Sequence, residues 1–315
     1  MSKNITVRDL YNAIGNKLGL EWISGHVGSE NTLRGQFPGA DSQGLAGPVN
    51  CIHPNRIQII GHAELVYFSA LEKQFYQDTL DKLFAAQPAA IILADGIEMD
   101  DDFKTVAEQK QIPLLRSSLG ESQLISDLLY YLTHVTAERT IKHGVFIEVL
   151  GVGVLLVGSP AIGKSELALE LISRGHRLIA DDAPEFSRIA PDIIDGRCPP
   201  ILSDFLEVRG LGIINIRSMF GDSSIKQHMY LQLIINLQQM TTEELGKMDR
   251  LRGSHAGRYV LGLEIPEVTL PIAPGREMSV MVEAAARQHI LKLKGYNAAD
   301  AFIARQLSAI EQGSV

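Results

Sequence analysis

The sequence predicts an α/β protein with two domains. The chain has 315 residues, more than a single hydrophobic core usually organises. Continuous apolar runs at 89–94 and 152–157 suit strands buried on both faces, and each is followed by a helical pattern. We place the boundary between residues 132 and 133, giving a small N-terminal α/β domain of unclear function (1–132) and a larger C-terminal domain (133–315).

The N-terminal half has the strand–helix–strand order of a βαβ unit. It contains, in chain order, a Gly/Pro/Asn-rich loop at 35–55, a strand at 57–61, helical spacing over 67–83, a strand at 89–94, an acidic helix at about 98–110, a strand at 112–115 and an amphipathic segment at 121–131. No catalytic constellation is evident in this half.

Composition excludes several classes of function. Hydrophobic residues make up 45% of the chain and charged residues 21%, which is typical of globular proteins. The net charge of −8 argues against a general electrostatic attraction of the protein surface to nucleic acid or an anionic membrane. No apolar run is long enough to span a membrane, and the N-terminus lacks a signal-peptide pattern. We therefore expect a cytoplasmic protein.

The two cysteines, Cys51 and Cys198, are far apart in sequence and form no CxxC pair. That spacing argues against a disulfide framework and against a thiolate zinc site. We expect both to be reduced thiols without a catalytic role, as is usual in a reducing compartment.

The strongest motif is a phosphate-binding loop (P-loop) that matches G-x-x-x-x-G-K-[ST]. A strand precedes it, and a helical pattern over 164–174, ending at Gly175, follows it. Glycines let backbone N–H groups turn towards an anion, and the helix N-terminus adds partial positive charge. Pro160 has no N–H, so the main donors are expected in 161–165. The predicted nucleotide-binding residues are Gly158, Ser159, Pro160, Ala161, Ile162, Gly163, Lys164 and Ser165.

A second signal is the apolar strand that ends in Asp181 and Asp182. Phosphoryl transfer requires an acid near the metal and another that accepts a hydroxyl proton, and adjacent carboxylates favour a raised pKa on one of them. The spacing leaves open which aspartate has which role. A plain acidic turn is the competing interpretation.

A third signal is a glycine-punctuated apolar segment that contains an acid and a base, Glu207 and Arg209. We expect both to be buried, which is costly unless they pair or meet a metal or phosphate. An internal salt bridge is the alternative. The segment comprises Leu206, Glu207, Val208, Arg209, Gly210, Leu211, Gly212, Ile213, Ile214 and Asn215. On spacing alone, a lone histidine such as His143 is usually a bystander, and loop arginines such as Arg250 and Arg276 suit phosphate but are more often just solvated.

The runs at 142–182, 196–216 and 271–276 together resemble the HPr kinase/phosphorylase family. The resemblance is much weaker over 1–110. It implies a phosphoenolpyruvate carboxykinase-like P-loop kinase domain at 133–315. Such an enzyme would use ATP and Mg²⁺ to phosphorylate a serine of HPr, a phosphocarrier of the sugar phosphotransferase system. It would reverse this by attack of inorganic phosphate on phosphoserine, releasing pyrophosphate. Members are typically homohexamers.

The resemblance also implies roles for individual residues. The catalytic set is His143, Lys164, Asp182 (with Asp181 as the alternative base) and Arg250, and the metal ligands are Ser165 and Glu207. Segment 206–215 is implied in both activities. The dephosphorylation loop comprises Pro271, Ile272, Ala273, Pro274, Gly275 and Arg276.

The chain departs from the family pattern at two places. Ser159, Pro160 and Ala161 stand where the loop usually has Asp, Ser and Gly, which is expected to alter nucleotide affinity or the preference for pyrophosphate as donor. Glu277 stands where Asn is usual after the arginine of the 271–276 loop. Its negative charge near inorganic phosphate is expected to weaken the dephosphorylation reaction.

Two other functions compete with this one. A P-loop kinase for a small metabolite would need a polar substrate pocket beside the loop, and no obvious set of residues supplies one. A nucleotide-sensing regulator would bind ATP without transferring phosphate. The Asp181–Asp182 pair and Glu207 argue against a pure sensor, because a sensor needs no base.

Overall fold

A computed structural model describes residues 5–33, 44–50, 54–247, 249, 251, 253–273 and 275–311. The chain forms two compact units that divide after Ala137. The predicted boundary at 132/133 falls inside a helix that runs from Glu121 to Thr136. Among the described residues, no helix has the length and hydropathy to cross a bilayer.

The N-terminal unit is a five-stranded sheet with helices, and its strand order is β1-β5-β4-β3-β2. Strands β2 to β5 are parallel, while β1 is antiparallel to β5. The elements are α1 (Val7–Ile14), β1 (Leu20–Ser24), β2 (Ala46–Pro48), β3 (Ile57–Ile60), α2 (His62–Ala70), α3 (Lys73–Ala85), β4 (Ala90–Leu93), α4 (Asp101–Gln109), β5 (Leu114–Ser117) and α5 (Glu121–Thr136).

The predicted strands and acidic helix of this unit are confirmed, with two differences. The helical pattern over 67–83 is two helices, because the chain turns extended at Leu71 and Glu72 before α3 begins. The segment 35–55, predicted to be loop, contains the short edge strand β2. Residues 34–43 and 51–53, including Cys51, lie outside the described part of the chain.

The C-terminal unit is built on a nine-stranded mixed sheet. Its strands run in the order β6-β10-β11-β14-β8-β7-β9, with β16 beside β14 and β15 beside β16. The elements are β6 (Glu138–Ile141), β7 (Val145–Val149), β8 (Val152–Gly158), α6 (Lys164–Ser173), β9 (Arg177–Ala180), β10 (Glu185–Ala190), β11 (Ile193–Arg197), β12 (Phe205–Val208), β13 (Gly212–Asn215), α7 (Ile216–Phe220), β14 (His228–Gln239), α8 (Thr242–Lys247), β15 (His255–Val260), β16 (Leu263–Ile272), α9 (Met278–Leu293) and α10 (Ala298–Glu311). The predicted α/β class is confirmed in both units.

Both faces of this sheet are covered, which explains the continuous apolar runs of β7 and β8. Val154 and Leu156 lie in a cluster that includes side chains of α6 and α9. Leu155 and Val157 point the other way, into a second cluster around Phe146 and Phe186. Alternate residues of one strand therefore supply two cores.

Four strands of the sheet end at the same edge. Strand β14 is parallel to both β8 and β16, and β7 is antiparallel to both β8 and β9. Strands β9, β8, β14 and β16 therefore share one direction. The chain leaves their carboxyl ends at 181, 159, 240 and 273, the edge at which open α/β sheets bind ligands.

Candidate active site

The P-loop joins the carboxyl end of β8 to the first turn of α6. Gly158 (φ +152°) lies against β14, and a Cβ there would be 2.6 Å from the Leu237 carbonyl oxygen. Gly163 (φ +99°) is the N-cap of α6. Ala161 also has a left-handed φ of +65°, a conformation that costs a residue with a Cβ about 1–2 kcal/mol. The loop therefore keeps the glycine-like backbone although one of its residues is alanine.

The side chain of Lys164 is hydrogen-bonded to the P-loop itself. Its side chain is buried, and Nζ donates hydrogen bonds to the carbonyl oxygens of Gly158 and Ser159, each at 3.2 Å. The Ile162 N–H bonds to the Ser159 carbonyl oxygen at 3.3 Å, so this donor closes the loop on itself. The N–H groups of the first turn of α6 lack intrahelical partners and remain suited to phosphate.

The other end of α6 is fixed to α9. Glu283 accepts hydrogen bonds from Nε and Nη2 of Arg174 at 2.8 and 2.9 Å and lies 3.0 Å from Nε2 of His176. These contacts lower the pKa of Glu283 to about 2. Ser279, also on α9, donates to Glu170 of α6. The P-loop helix is therefore clamped at the end far from the phosphate site.

The two adjacent aspartates have different environments. Asp181 is buried, and its Oδ2 accepts a hydrogen bond from the Glu207 N–H at 2.9 Å. Burial raises the pKa of Asp181, while the hydrogen bonds from the Glu207 and Asp182 N–H groups act in the opposite direction. Asp182 has a left-handed φ of +64°, and its side chain is 69% exposed. The strand end thus buries one carboxylate and presents the other to solvent.

His143 contacts the exposed aspartate. Its Nδ1 lies 2.7 Å from Oδ1 of Asp182, and the Gly144 N–H donates to the Asp182 carbonyl oxygen at 3.2 Å. Gly144 (φ +150°) leaves no room for a Cβ, which would be 2.4 Å from the Leu156 carbonyl oxygen. The segment between β6 and β7 therefore brings the imidazole to the end of β9. Both residues were predicted as site residues from the sequence, but nothing in the sequence indicated that they contact each other.

Residues 205–215 form a separate two-stranded hairpin, β12–β13. Leu206 and Val208 are buried, whereas Glu207 and Arg209 are exposed. The expectation that Glu207 and Arg209 are buried is therefore wrong, because strand alternation turns the apolar residues inward and the charged ones outward.

The base of the hairpin is braced by an arginine that sequence reasoning missed. Arg217 donates to Oδ2 and Oδ1 of Asp204 at 2.6 and 3.1 Å and also contacts Asp222. These bonds raise the pKa of Arg217 and lower that of Asp204. The Asn215 side chain caps α7 by accepting from the Ser218 N–H. No motif in the sequence distinguishes this brace from ordinary surface charges.

Most of the predicted catalytic and metal-binding residues meet in one cleft of about 220 Å³. Its lining comprises His143, Gly144, Pro160, Ala161, Gly163, Lys164, Ser165, Glu166, Asp181, Asp182, Glu207 and Arg209. The cleft has a phosphate-binding loop as one wall and carboxylates as the other. This combination is suited to moving a phosphoryl group between an anion and a hydroxyl.

Two predicted elements are placed only in part. Arg250 and Pro274 lie outside the described residues. Arg250 follows β14, and the 271–276 loop begins at the end of β16, where the Arg276 N–H bonds to the Ala273 carbonyl oxygen. Both strands end at the sheet edge that carries the P-loop. The roles of these segments stay predictions.

Cys198 is a free, half-buried thiol. Burial, together with the negative charges of Asp204 and Asp181, raises its pKa to about 11. A thiol with so high a pKa is protonated at neutral pH and is a poor nucleophile.

Comparison with known proteins shows the family to which the chain belongs. The family model described as "HPr Serine kinase N terminus" matches residues 5–132, and the one described as "HPr Serine kinase C-terminal domain" matches 134–306. A protein of Xylella fastidiosa (strain 9a5c) named HPr kinase/phosphorylase is 44% identical over 313 residues, covering 99% of both chains. The chain belongs to the HPr kinase/phosphorylase family.

Two further members of this family are similar to the chain to different degrees. The HPr kinase/phosphorylase of Xanthomonas axonopodis pv. citri is 43% identical, again over 99% of both chains. A solved structure, the Hpr(Ser) kinase/phosphatase from Coxiella burnetii, is 32% identical, with a TM-score of 0.46, and the match covers 52% of this chain and 98% of that one. In the chain described here, the P-loop has Ser, Pro and Ala at 159–161, and Ala161 has a left-handed φ.

Proposed function

We propose that the chain transfers the γ-phosphoryl group of ATP to a serine of HPr, and that it reverses this with inorganic phosphate. The observation that carries the proposal is the Asp182–His143 pair at 2.7 Å, at the rim of a cleft whose other wall is the P-loop. An exposed carboxylate at a cleft rim can reach a hydroxyl presented by another protein, whereas Asp181 is buried and its Oδ2 already accepts the Glu207 N–H.

In the kinase direction Asp182 is the general base. It takes the proton from the serine hydroxyl as the oxygen attacks the γ-phosphorus and the bond to the β-phosphate oxygen breaks, releasing ADP. His143 orients the carboxylate through its 2.7 Å contact. Lys164 and the N-terminus of α6 carry the charge of the phosphates.

In the reverse direction the same residues act with their proton roles exchanged. An oxygen of inorganic phosphate attacks the phosphorus of phosphoserine, and the bond to the serine oxygen breaks. Asp182, now protonated, returns the proton to that oxygen, and pyrophosphate is the second product. One carboxyl group can therefore serve both activities.

The donors in the cleft fit a magnesium ion. Ser165 and Glu207 offer hydroxyl and carboxylate oxygens, the ligands Mg²⁺ prefers. Within the described residues, no group of three or more His, Cys, Asp or Glu side chains forms a metal cage. A site of few protein ligands agrees with this, because Mg²⁺ usually completes its shell with water and substrate phosphates. When bound, the ion would neutralise charge on the phosphate oxygens.

The family resemblance extends the proposal to assembly and place of action. We propose that the chain forms a homohexamer in the cytoplasm, where HPr and ATP are available. Sedimentation of the purified protein would give the mass of the assembly. A monomeric mass at the concentration used for the activity assay would contradict this part of the proposal.

Label transfer from γ-labelled ATP tests the main proposal. Wild-type protein should label HPr but not an HPr variant in which the target serine is alanine. Tight ATP binding without label would favour a nucleotide sensor. Transfer to a small metabolite but not to HPr would favour a metabolite kinase.

Two substitutions test the unusual residues near the phosphate sites. Glu277 is an exposed N-cap of α9, directly after the 271–276 loop. Glu277→Asn should raise phosphate-dependent dephosphorylation and leave the kinase rate unchanged, because it removes a negative charge that repels inorganic phosphate. Dephosphorylation that does not rise would count against this role. For the loop interior, a Ser159→Asp variant compared with wild type in ATP-driven and pyrophosphate-driven assays would reveal any change in donor preference.

A further inference from the structure

One face of the β12–β13 hairpin exposes large apolar side chains beside charged ones. Phe205 is 44% exposed and Ile213 is 73% exposed, although both are in strands. At the tip, Leu211 is 68% exposed. Leu206 and Val208, on the opposite face, are buried in the core around α6. The hairpin therefore has one face anchored in the core and a second face whose large apolar side chains this chain leaves uncovered.

The exposed face is continuous with the catalytic cleft. Ile213 pairs across the hairpin with Glu207, which lines the cleft, and Phe205 lies two residues before Glu207 on the same face. Arg209, next on that face, also lines the cleft. Scattered exposed apolar residues are ordinary, but apolar residues grouped beside a catalytic group mark a surface for a partner.

The location of this face beside the cleft distinguishes between two possible partners, a second copy of this chain and the acceptor protein. A second copy of this chain seated permanently on the face would stand beside Glu207 and Arg209 and obstruct the approach of a protein to the cleft. The acceptor protein, by contrast, has to come to this rim in every turnover, because Asp182 receives the proton of its hydroxyl.

We propose that the face formed by Phe205, Leu211 and Ile213 is the docking surface for the phosphoacceptor protein. This inference rests on the proposed function. The hairpin recognises apolar side chains that flank the target serine, and thereby places the serine hydroxyl at Asp182. It contributes to the affinity for the protein acceptor, and it makes no contribution to holding ATP.

The test replaces the apolar face without breaking the hairpin. A Phe205→Thr, Ile213→Thr double variant keeps residues of high strand propensity and removes most of the apolar surface. Val66→Thr is the control, since Val66 is an apolar residue of similar exposure (68%) in the N-terminal unit. HPr phosphorylation is measured at saturating ATP over a range of HPr concentrations, with ATP affinity and sedimentation measured alongside.

The double variant should raise the KM for HPr roughly tenfold or more, as for loss of anchor residues at an interface. Its ATP affinity should stay unchanged, any fall in kcat should be smaller than the rise in KM, and the control should match wild type. Should the double variant lose ATP affinity, the single Ile213→Thr variant with intact ATP affinity must still raise the KM. An unchanged KM for HPr would overturn this inference but not the proposed function. If the assembly mass also fell, the face would instead be an interface with a second copy of the chain. No transfer to HPr by wild type overturns the proposed function and this inference together.

Discussion

Replacing Asp182 by asparagine tests which of the two adjacent aspartates, Asp181 or Asp182, is the general base. Asparagine keeps the size of the side chain and an oxygen to face His143, but it cannot accept the serine proton. Asp182 is at the cleft rim with its side chain 69% exposed, so the substitution leaves the packing of the strand end intact. Asp181→Asn is the matched comparison, because its side-chain oxygen can still accept the Glu207 N–H.

The expected size of the effect follows from these environments. Loss of a general base typically costs about 10²–10⁴ in rate, which is roughly 3–5 kcal/mol of activation free energy. Asp182→Asn should therefore lower kcat by that factor in both directions, since one carboxyl group gives and takes the same proton. Asp181→Asn should cost less than Asp182→Asn, because Asp181 is buried away from an incoming protein.

Rapid-quench label transfer to HPr and phosphate-driven release of pyrophosphate measure the two directions. Equilibrium binding of a fluorescent ATP analogue shows whether the P-loop still holds nucleotide. Transfer retained by Asp182→Asn but abolished by Asp181→Asn would refute the assignment, and so would a loss confined to one direction.

Three predictions concern stability. Glu283→Gln should lower the unfolding free energy at neutral pH by about 1–2 kcal/mol, allowing for solvent screening. Since the pKa of Glu283 is about 2 when folded against an ordinary 4.5, this contribution is complete above the ordinary value and is lost as pH falls towards 2, so urea titrations of the two proteins should converge there. Gly196→Ala should cost about 1–3 kcal/mol, because its Cβ would be 2.5–2.6 Å from the rings of two buried phenylalanines; Gly246→Ala, with open space around the new Cβ, should leave Tm unchanged or slightly higher. Ala161→Gly should raise stability by up to about 1 kcal/mol, since relief of the left-handed strain exceeds the added freedom of the unfolded chain; a lower Tm would contradict this.

The parts of the fold predicted from sequence are those with a local cause. The P-loop is specified by consecutive residues, and the strands around it by apolar runs that are buried on both faces. The burial of Glu207 was mispredicted for an equally local reason. Apolar neighbours such as Ile213 were taken to mark the core, whereas they cover an outer face of the hairpin.

Long-range contacts had no sequence signal. His143 and Asp182 meet because β7 and β9 pair in the sheet, and neither spacing nor composition encodes that register. The brace between Arg217 and Asp204 joins residues on either side of the hairpin, which the pairing of β12 with β13 brings together. The edge strand β2 was missed because Ala-Gly-Pro carries no alternation and acquires its strand geometry from pairing with β3.

The two faces of the hairpin separate two kinds of evolutionary constraint. Substitutions at Leu206 and Val208 alter the core and so affect the whole domain. Substitutions at Phe205 and Ile213 change only the exposed surface. Under the proposed docking role, substitutions at Phe205 and Ile213 would alter the specificity for the acceptor protein while leaving the core of the domain intact.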